Sequence, residues 1–338
     1  MMLLLSLLIG ARSAPPDTAF PDSVVFVFDA MDAAMGILER RARGEAIPAV
    51  AWDSMFAAEG YRRLKDRELS LKRPFSDSAF RVFLLSDTLL ARLPALRPAA
   101  TAWRTVDLSD AVSRARAYLP PGTPIRARLY PLIKPATNSF VHLGPDGVIG
   151  IFMYVEPAQP VGEARTTLAH ELHHVGYSAA CPEVGVSRAS PAERALLQRL
   201  GAFGEGVAML AAAGSPDVNP NAESRPEMRA DWDQGIAGVD GDFARIDSLI
   251  VAVATGRVTS PDSVASRAED LYGAQGPWYT VGWLMSSTVE RAVGRDRLIQ
   301  VMCDPRHLIL QYMTSPPTAE KRPNWSKTAL NWLANVGR

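Results

Sequence analysis

A chain of 338 residues, 47% of them hydrophobic, can fill one large core or two of ordinary size. Lysine plus arginine balance aspartate plus glutamate at 36 each, and no basic stripe with interleaved aromatics runs through the sequence, which argues against a nucleic-acid partner. Two cysteines, Cys181 and Cys303, are too few for a disulfide framework or a Cys-rich zinc module; they read equally as one bridge across a long loop or as two buried thiols.

The opening MMLLLSLLIGARSAPPD pairs a short apolar run with small residues and two prolines, and resembles a secretory signal cleaved near Ser13 or Ala14, although a charged n-region is missing. The run is too short to span a bilayer, and no later segment approaches the ~18 uninterrupted apolar residues of a membrane helix. The expectation is a secreted or periplasmic protein, with residues 1–13 as signal and no stable membrane insertion. From Asp17 to about Tyr118 apolar residues recur mostly at helical spacing, as in VVFVFDAMDAAMGILERRARG and SDAVSRARAYL, defining a helical N-terminal region over 14–120. LPPGTP at 119–124 interrupts that spacing and marks a boundary.

The period then changes. IRARLYPLI, NSFVHLG and VIGIFMYVE are short runs rich in β-branched and aromatic residues, with a Gly-Pro-Asp-Gly turn at 144–147 between the last two, and predict a small sheet of three or more strands. VIGIFMYVE reads either as core or as a sheet edge along which an extended peptide binds, Gly150 permitting close approach. Helical spacing returns from Val161. Ser190-Pro191-Ala192-Glu193 has a capping-box pattern with proline at the first helical position, and predicts a helix running to Gly214. Further helices are expected near 225–254, 261–273, 279–294, 295–312 and 325–336. The fold class is therefore α+β, mainly α.

Residues 166–176, TTLAHELHHVG, hold three of the five histidines of the chain. His170-Glu171-Leu172-His173-His174 fits H-E-x-x-H, whose chemistry needs a helix: two histidines four residues apart share a face and can converge on one zinc ion. Glu171, one residue round the helix, is then placed to take a proton from a water activated by the metal and pass it to the leaving amine. The flanking residues Leu168, Ala169, Leu172 and Val175 are uncharged, unlike those of a surface helix with incidental histidines. His173 faces elsewhere and reads as a packing or supporting residue.

A catalytic zinc usually has three protein ligands and one open position. The metzincin extension would need glycine at position 177 and histidine at position 180, where this chain has Tyr177 and Ala180. His307 alone lies downstream, far away and after an Asp-Pro. A carboxylate remains, and Gly204-Glu205-Gly206-Val207-Ala208 supplies one: an acid in an apolar helix needs a partner, which zinc would provide, and the two glycines suit close helix approach. The alternatives are a solvated Glu205 or one paired with Arg199. Glu193, Glu223 and Glu227 sit near helix ends, where capping explains them.

Together His170, Glu171, His174 and Glu205 resemble the gluzincin pattern of zinc metallopeptidases, in which a second helix supplies the glutamate ligand. WYTVGWLMSSTVERAVGRDRLIQVM at 278–302 is similar to the downstream Tyr-x-x-Gly segment of the gluzincins related to aminopeptidases. The resemblance implies that Tyr279 is the oxyanion donor; read on its own, Tyr279 is either such a donor or a core aromatic, with Tyr272, Tyr177 and His307 in reserve. The likeness covers roughly 125–312 and is greatest to bacterial zinc-dependent peptidases of unassigned substrate. Two features depart from it, a longer gap to Glu205 than in thermolysin-like enzymes and no Gly-Ala-Met-Glu-Asn-type exopeptidase motif. It implies a small sheet followed by a helical zincin-like catalytic region over 121–338, one zinc ion, and hydrolysis of a peptide or protein substrate. A secreted binding protein that retains a zinc site, and a zinc hydrolase of non-peptide amides, are the alternatives.

Overall fold

Strand β1 (Ser23–Phe26) opens a computed structural model that describes residues 23–157, 159–273, 275–316 and 322–337. The signal-like segment at 1–13 lies outside the described residues. By internal contacts the chain forms two units, one of Ser109–Thr123 with Thr166–Arg338, the other of the chain up to Leu108 with Pro124–Arg165.

The unit that holds the sheet contains helices α1 (Asp29–Ala42), α2 (Ala49–Ala57), α3 (Glu59–Ser70), α4 (Asp77–Leu84) and α5 (Asp87–Thr105), then strands β2 (Arg126–Leu132), β3 (Phe140–Leu143) and β4 (Ile149–Tyr154). Among the described residues the sheet has four strands in the order β1-β2-β4-β3, the first two pairs parallel and the last antiparallel. Gly147, at φ +75°, takes the left-handed conformation that lets the β3–β4 hairpin close. The register sets Tyr130 opposite Phe152 and Phe152 opposite Phe140, so three rings stack across the sheet with centroids 5.1 and 4.9 Å apart. Asp29 at the start of α1 accepts from the backbone N–H groups of Glu59 and Gly60 at 2.5 and 3.3 Å, which caps α3.

Two expectations change here. Val24, Val25 and Phe26, read as part of a helical repeat, form β1 instead and pair with Ala127, Arg128 and Leu129. A run this short satisfies either period, and pairing with a distant strand decides it. Strand β4 is internal, flanked by β2 and β3, so VIGIFMYVE is no edge; a Cβ on Gly150 would lie 2.8 Å from the Phe152 ring.

Lys134, just after β2, is almost wholly buried and donates to the Ala136 carbonyl at 2.5 Å and to Asn138 Oδ1 at 3.1 Å. Burial, with the like charge of Arg67 adding, pushes its pKa down from 10.5 to about 7. Above that value the folded chain releases a proton that the unfolded chain keeps, so stability rises with pH until the unfolded amine also titrates. Wild type should therefore gain on a Lys134→Met variant by about 1 kcal/mol per pH unit between pH ~7 and ~9.5 in urea titrations. Parallel pH dependences of the two proteins would contradict this.

The other unit takes up the chain along α6 (Leu108–Arg116) and again at Thr166 within α7 (Val161–Ala180), then continues as α8 (Pro191–Leu200), α9 (Gly204–Ala213), α10 (Pro226–Ala237), α11 (Val239–Ala254), α12 (Pro261–Glu269), α13 (Pro277–Val293), α14 (Arg295–Val301), α15 (Pro305–Thr314) and α16 (Lys327–Asn335). The capping box forms as read: Ser190 Oγ accepts from the Glu193 N–H and Glu193 accepts from the Ser190 N–H. The long helix expected to follow is broken by a 3-10 turn at Gly201–Phe203 into α8 and α9, which ends at left-handed Gly214. The core of this unit is mainly aliphatic and includes aromatic contacts, among them Phe203 against Trp278 at 5.3 Å and Phe243 against Trp325 at 4.9 Å. Cys181 and Cys303 are joined in a disulfide that spans 122 residues of sequence, which settles the choice between bridge and free thiols.

Candidate metal centre

His170 and His174 lie one turn apart on α7, their rings nearly perpendicular and their Nε2 atoms 3.0 Å apart. Glu205, in the first turn of α9, sends Oε2 to 3.2 Å from each of these nitrogens. Helix α9 is apolar apart from this residue and buried from Gly204 to Ala212, so the carboxylate is shielded from bulk solvent, and Glu205 is 1% exposed. Arg199 does not partner it; it faces Glu269 at 4.0 Å. The solvated and Arg-paired alternatives for Glu205 are both set aside.

Three donor atoms 3.0–3.2 Å from one another match the donor set of a tetrahedral zinc, whose ligand atoms at 2.0–2.1 Å lie about 3.3 Å apart. Protons satisfy such a triangle poorly. A single N–H on either ring can point at the carboxylate or at the other nitrogen, whereas a cation engages all three atoms at once. Glu205 Oε1 and His170 Nδ1 are also buried without a hydrogen-bond partner among the described residues. The residues present fit one divalent ion.

The electrostatics agree. Burial pulls the His174 pKa down, but the charge of Glu205 and its hydrogen bond outweigh that and raise it to about 9. For Glu205 burial opposes ionisation, yet His174 and the hydrogen bonds from both histidines hold its carboxyl well below the usual range. Glu171, also buried, has its pKa raised by desolvation against the pull of His170 and His174.

Tyr279, in the first turn of α13, lies with its ring 6.2 Å from that of His170 and nearly parallel to it. Burial first, then the charge of Glu205, pushes its phenol well above the usual value, so it stays a proton donor at neutral pH. Its placement follows from two glycines. A Cβ on Gly206 would stand 2.0 Å from the Trp283 nitrogen, and one on Gly282 would stand 2.6 Å from the Phe203 carbonyl oxygen, so α9 and α13 cross at a distance only glycine allows. Glu205 and Tyr279 sit beside that crossing, and the Tyr279-x-x-Gly282 spacing sets phenol and contact point one turn apart.

The remaining candidates resolve differently. His173 is fully buried and its Nε2–H donates to the Tyr118 carbonyl at 3.3 Å; burial lowers its pKa to about 3, so it is a neutral anchor for α7. Tyr177 donates to the Met302 carbonyl at 2.9 Å. His307 is 62% exposed beside Asp304, outside the cluster. Glu193 caps α8 and accepts from Trp332 Nε1 at 2.9 Å. Tyr272 is buried, and the charge of Glu205 contributes, after desolvation, to its raised pKa. Sequence patterns did not single out Gly282 as the partner of Gly206, nor Asn221, whose Nδ2 donates at 3.2 Å to Gln275 Oε1, two residues ahead of α13. Gln275 holds φ +58°, and polar contacts between loops 54 positions apart leave no periodic trace.

The chain belongs to the family described as "Putative zinc dependent peptidase (DUF5700)", whose model matches residues 52–316. That span contains His170, Glu171, His174, Glu205 and Tyr279. No curated protein and no solved structure matches the chain.

Proposed function

We propose that this chain is a gluzincin-type zinc metallopeptidase that hydrolyses bonds in a peptide or protein substrate. The observation that carries this is the convergence of His170, His174 and Glu205 within 3.0–3.2 Å, with Glu171 as the residue after the first histidine. His170, His174 and Glu205 would hold a zinc ion there, and the ion would supply a Lewis acid that makes water acidic enough to lose a proton near neutral pH. Glu171, its pKa already raised by burial, accepts the proton of the attacking water and returns it to the departing amine. Tyr279 keeps its phenolic proton and donates to the carbonyl oxygen as negative charge gathers on it. Glu171 also weighs against the binding-protein alternative, since a structural site has no use for a general base and would close its fourth position.

The protein acts after export, in the periplasm or outside the cell. The Cys181–Cys303 bond supports this, because disulfides persist in oxidising compartments. As the test, purified protein should hold one zinc per chain and cut a peptide library, lose activity to a chelator and recover it with added zinc. Zinc-loaded protein that cuts no peptide but hydrolyses other amides would point to the non-peptide alternative.

A further inference from the structure

We propose that the Cys181–Cys303 disulfide and the Tyr177 hydroxyl together form a clamp that sets the metal affinity of the site by fixing the C-terminal end of α7. The inference rests on the reading of His170, His174 and Glu205 as ligands. Two of these are on α7 and the third is on α9, and the chain between the helices runs through 181–190, which has no helix or strand. Their mutual distance is therefore set by what else ties α7 to the α9 side of this unit.

Beside the His173 anchor near its middle, two links tie the C-terminal end of α7, both within two turns of His174. Tyr177, three residues on, donates its hydroxyl to the Met302 carbonyl at 2.9 Å. Cys181, directly after the helix, is bonded to Cys303, the next residue after Met302. Both ends are stiff. The Cys181 N–H continues the helical ladder onto the Tyr177 carbonyl at 2.8 Å, so the sulfur moves with α7. On the other side the Met302 N–H donates to the Leu298 carbonyl of α14 at 2.9 Å, and Asp304 caps α15 through the Arg306 N–H at 2.9 Å.

Helices α14 and α15 pack on α13, and α13 meets α9 at the Gly206–Gly282 crossing. The clamp thus closes a path from His174 through α14, α15 and α13 to Glu205 that runs along packed helices. The loop it encloses carries Glu205 and Tyr279, while His170 and His174 stay outside it, so the bond joins the two halves of the donor set. Tyr177 and the two cysteines lie outside the three converging donors and act as positioning residues. Supporting groups of this kind are worth roughly 10–100-fold in metal affinity when removed.

The experiment compares the zinc dissociation constant and release rate, by competition with a chromophoric chelator, for wild type and the Cys181→Ala/Cys303→Ala variant. The variant should bind zinc roughly tenfold more weakly with its far-UV circular dichroism unchanged at the assay temperature. A folded variant whose affinity stays within about twofold of wild type would overturn the clamp. Should the variant not fold, Tyr177→Phe with the disulfide intact replaces it: zinc release several-fold faster supports the proposal, and an unchanged rate defeats it. Wild type that binds no zinc at all would overturn the ligand assignment itself, a result distinct from zinc bound equally well with and without the clamp.

Discussion

Glu171→Gln should reduce peptide turnover by about 10²–10⁴-fold while the protein keeps its zinc. The glutamine amide has the shape of the carboxyl group but cannot take up a proton near neutral pH, so only the transfer step is lost. Glu171 is 3% exposed and is not among the three converging donors, so the substitution leaves His170, His174 and Glu205 as they are. Its pKa is raised by burial, which brings the group nearer to the working pH than an ordinary glutamate and suits it to both accepting and returning a proton. A neutral amide also removes the cost of ionising a buried carboxyl, so the thermal midpoint should not fall. Elemental analysis alongside a turnover assay separates the outcomes: full zinc with near-normal turnover would remove Glu171 from the general-base role, and lost zinc would make it a ligand.

Which parts were legible in sequence follows from the range of the interactions involved. The H-E-x-x-H pair is a contact within one turn of helix, and its geometry follows from helical rise alone. Glu205 was legible through an imbalance, since one acid in a helix otherwise free of charge demands a partner. Ser190 and Glu193 announced α8 because capping is local. Strand β1 was not legible: Val24, Val25 and Phe26 are a strand because Ala127, Arg128 and Leu129 lie beside them, and a hundred residues separate the two. The same holds for the place of β4 in the sheet, where β-propensity gives a strand but never its neighbours. Tyr279 lies between these cases. Its sequence context suggested a donor, but its proximity to His170 depends on Gly206 meeting Gly282, a contact no single helix reveals.

Glu205→Ala should weaken zinc binding by at least about a hundredfold, more than the loss of any supporting group, because it removes one of three ligands. The effect on the metal-free protein should be small, for a definite reason. Glu205 and His174 form a buried ion pair there, with the carboxyl held ionised and the imidazole raised to about 9. Removing one member of a buried pair is costly when the other must stay charged, but an imidazole left in a buried site can shed its proton and become neutral. Differential scanning tests both halves at once. Zinc at a hundredfold excess over the wild-type dissociation constant should stabilise wild type by about 2.7 kcal/mol and the variant hardly at all. If zinc raised the two midpoints equally, Glu205 would not be a ligand, and its burial against His170 and His174 would have to be explained by the ion pair alone.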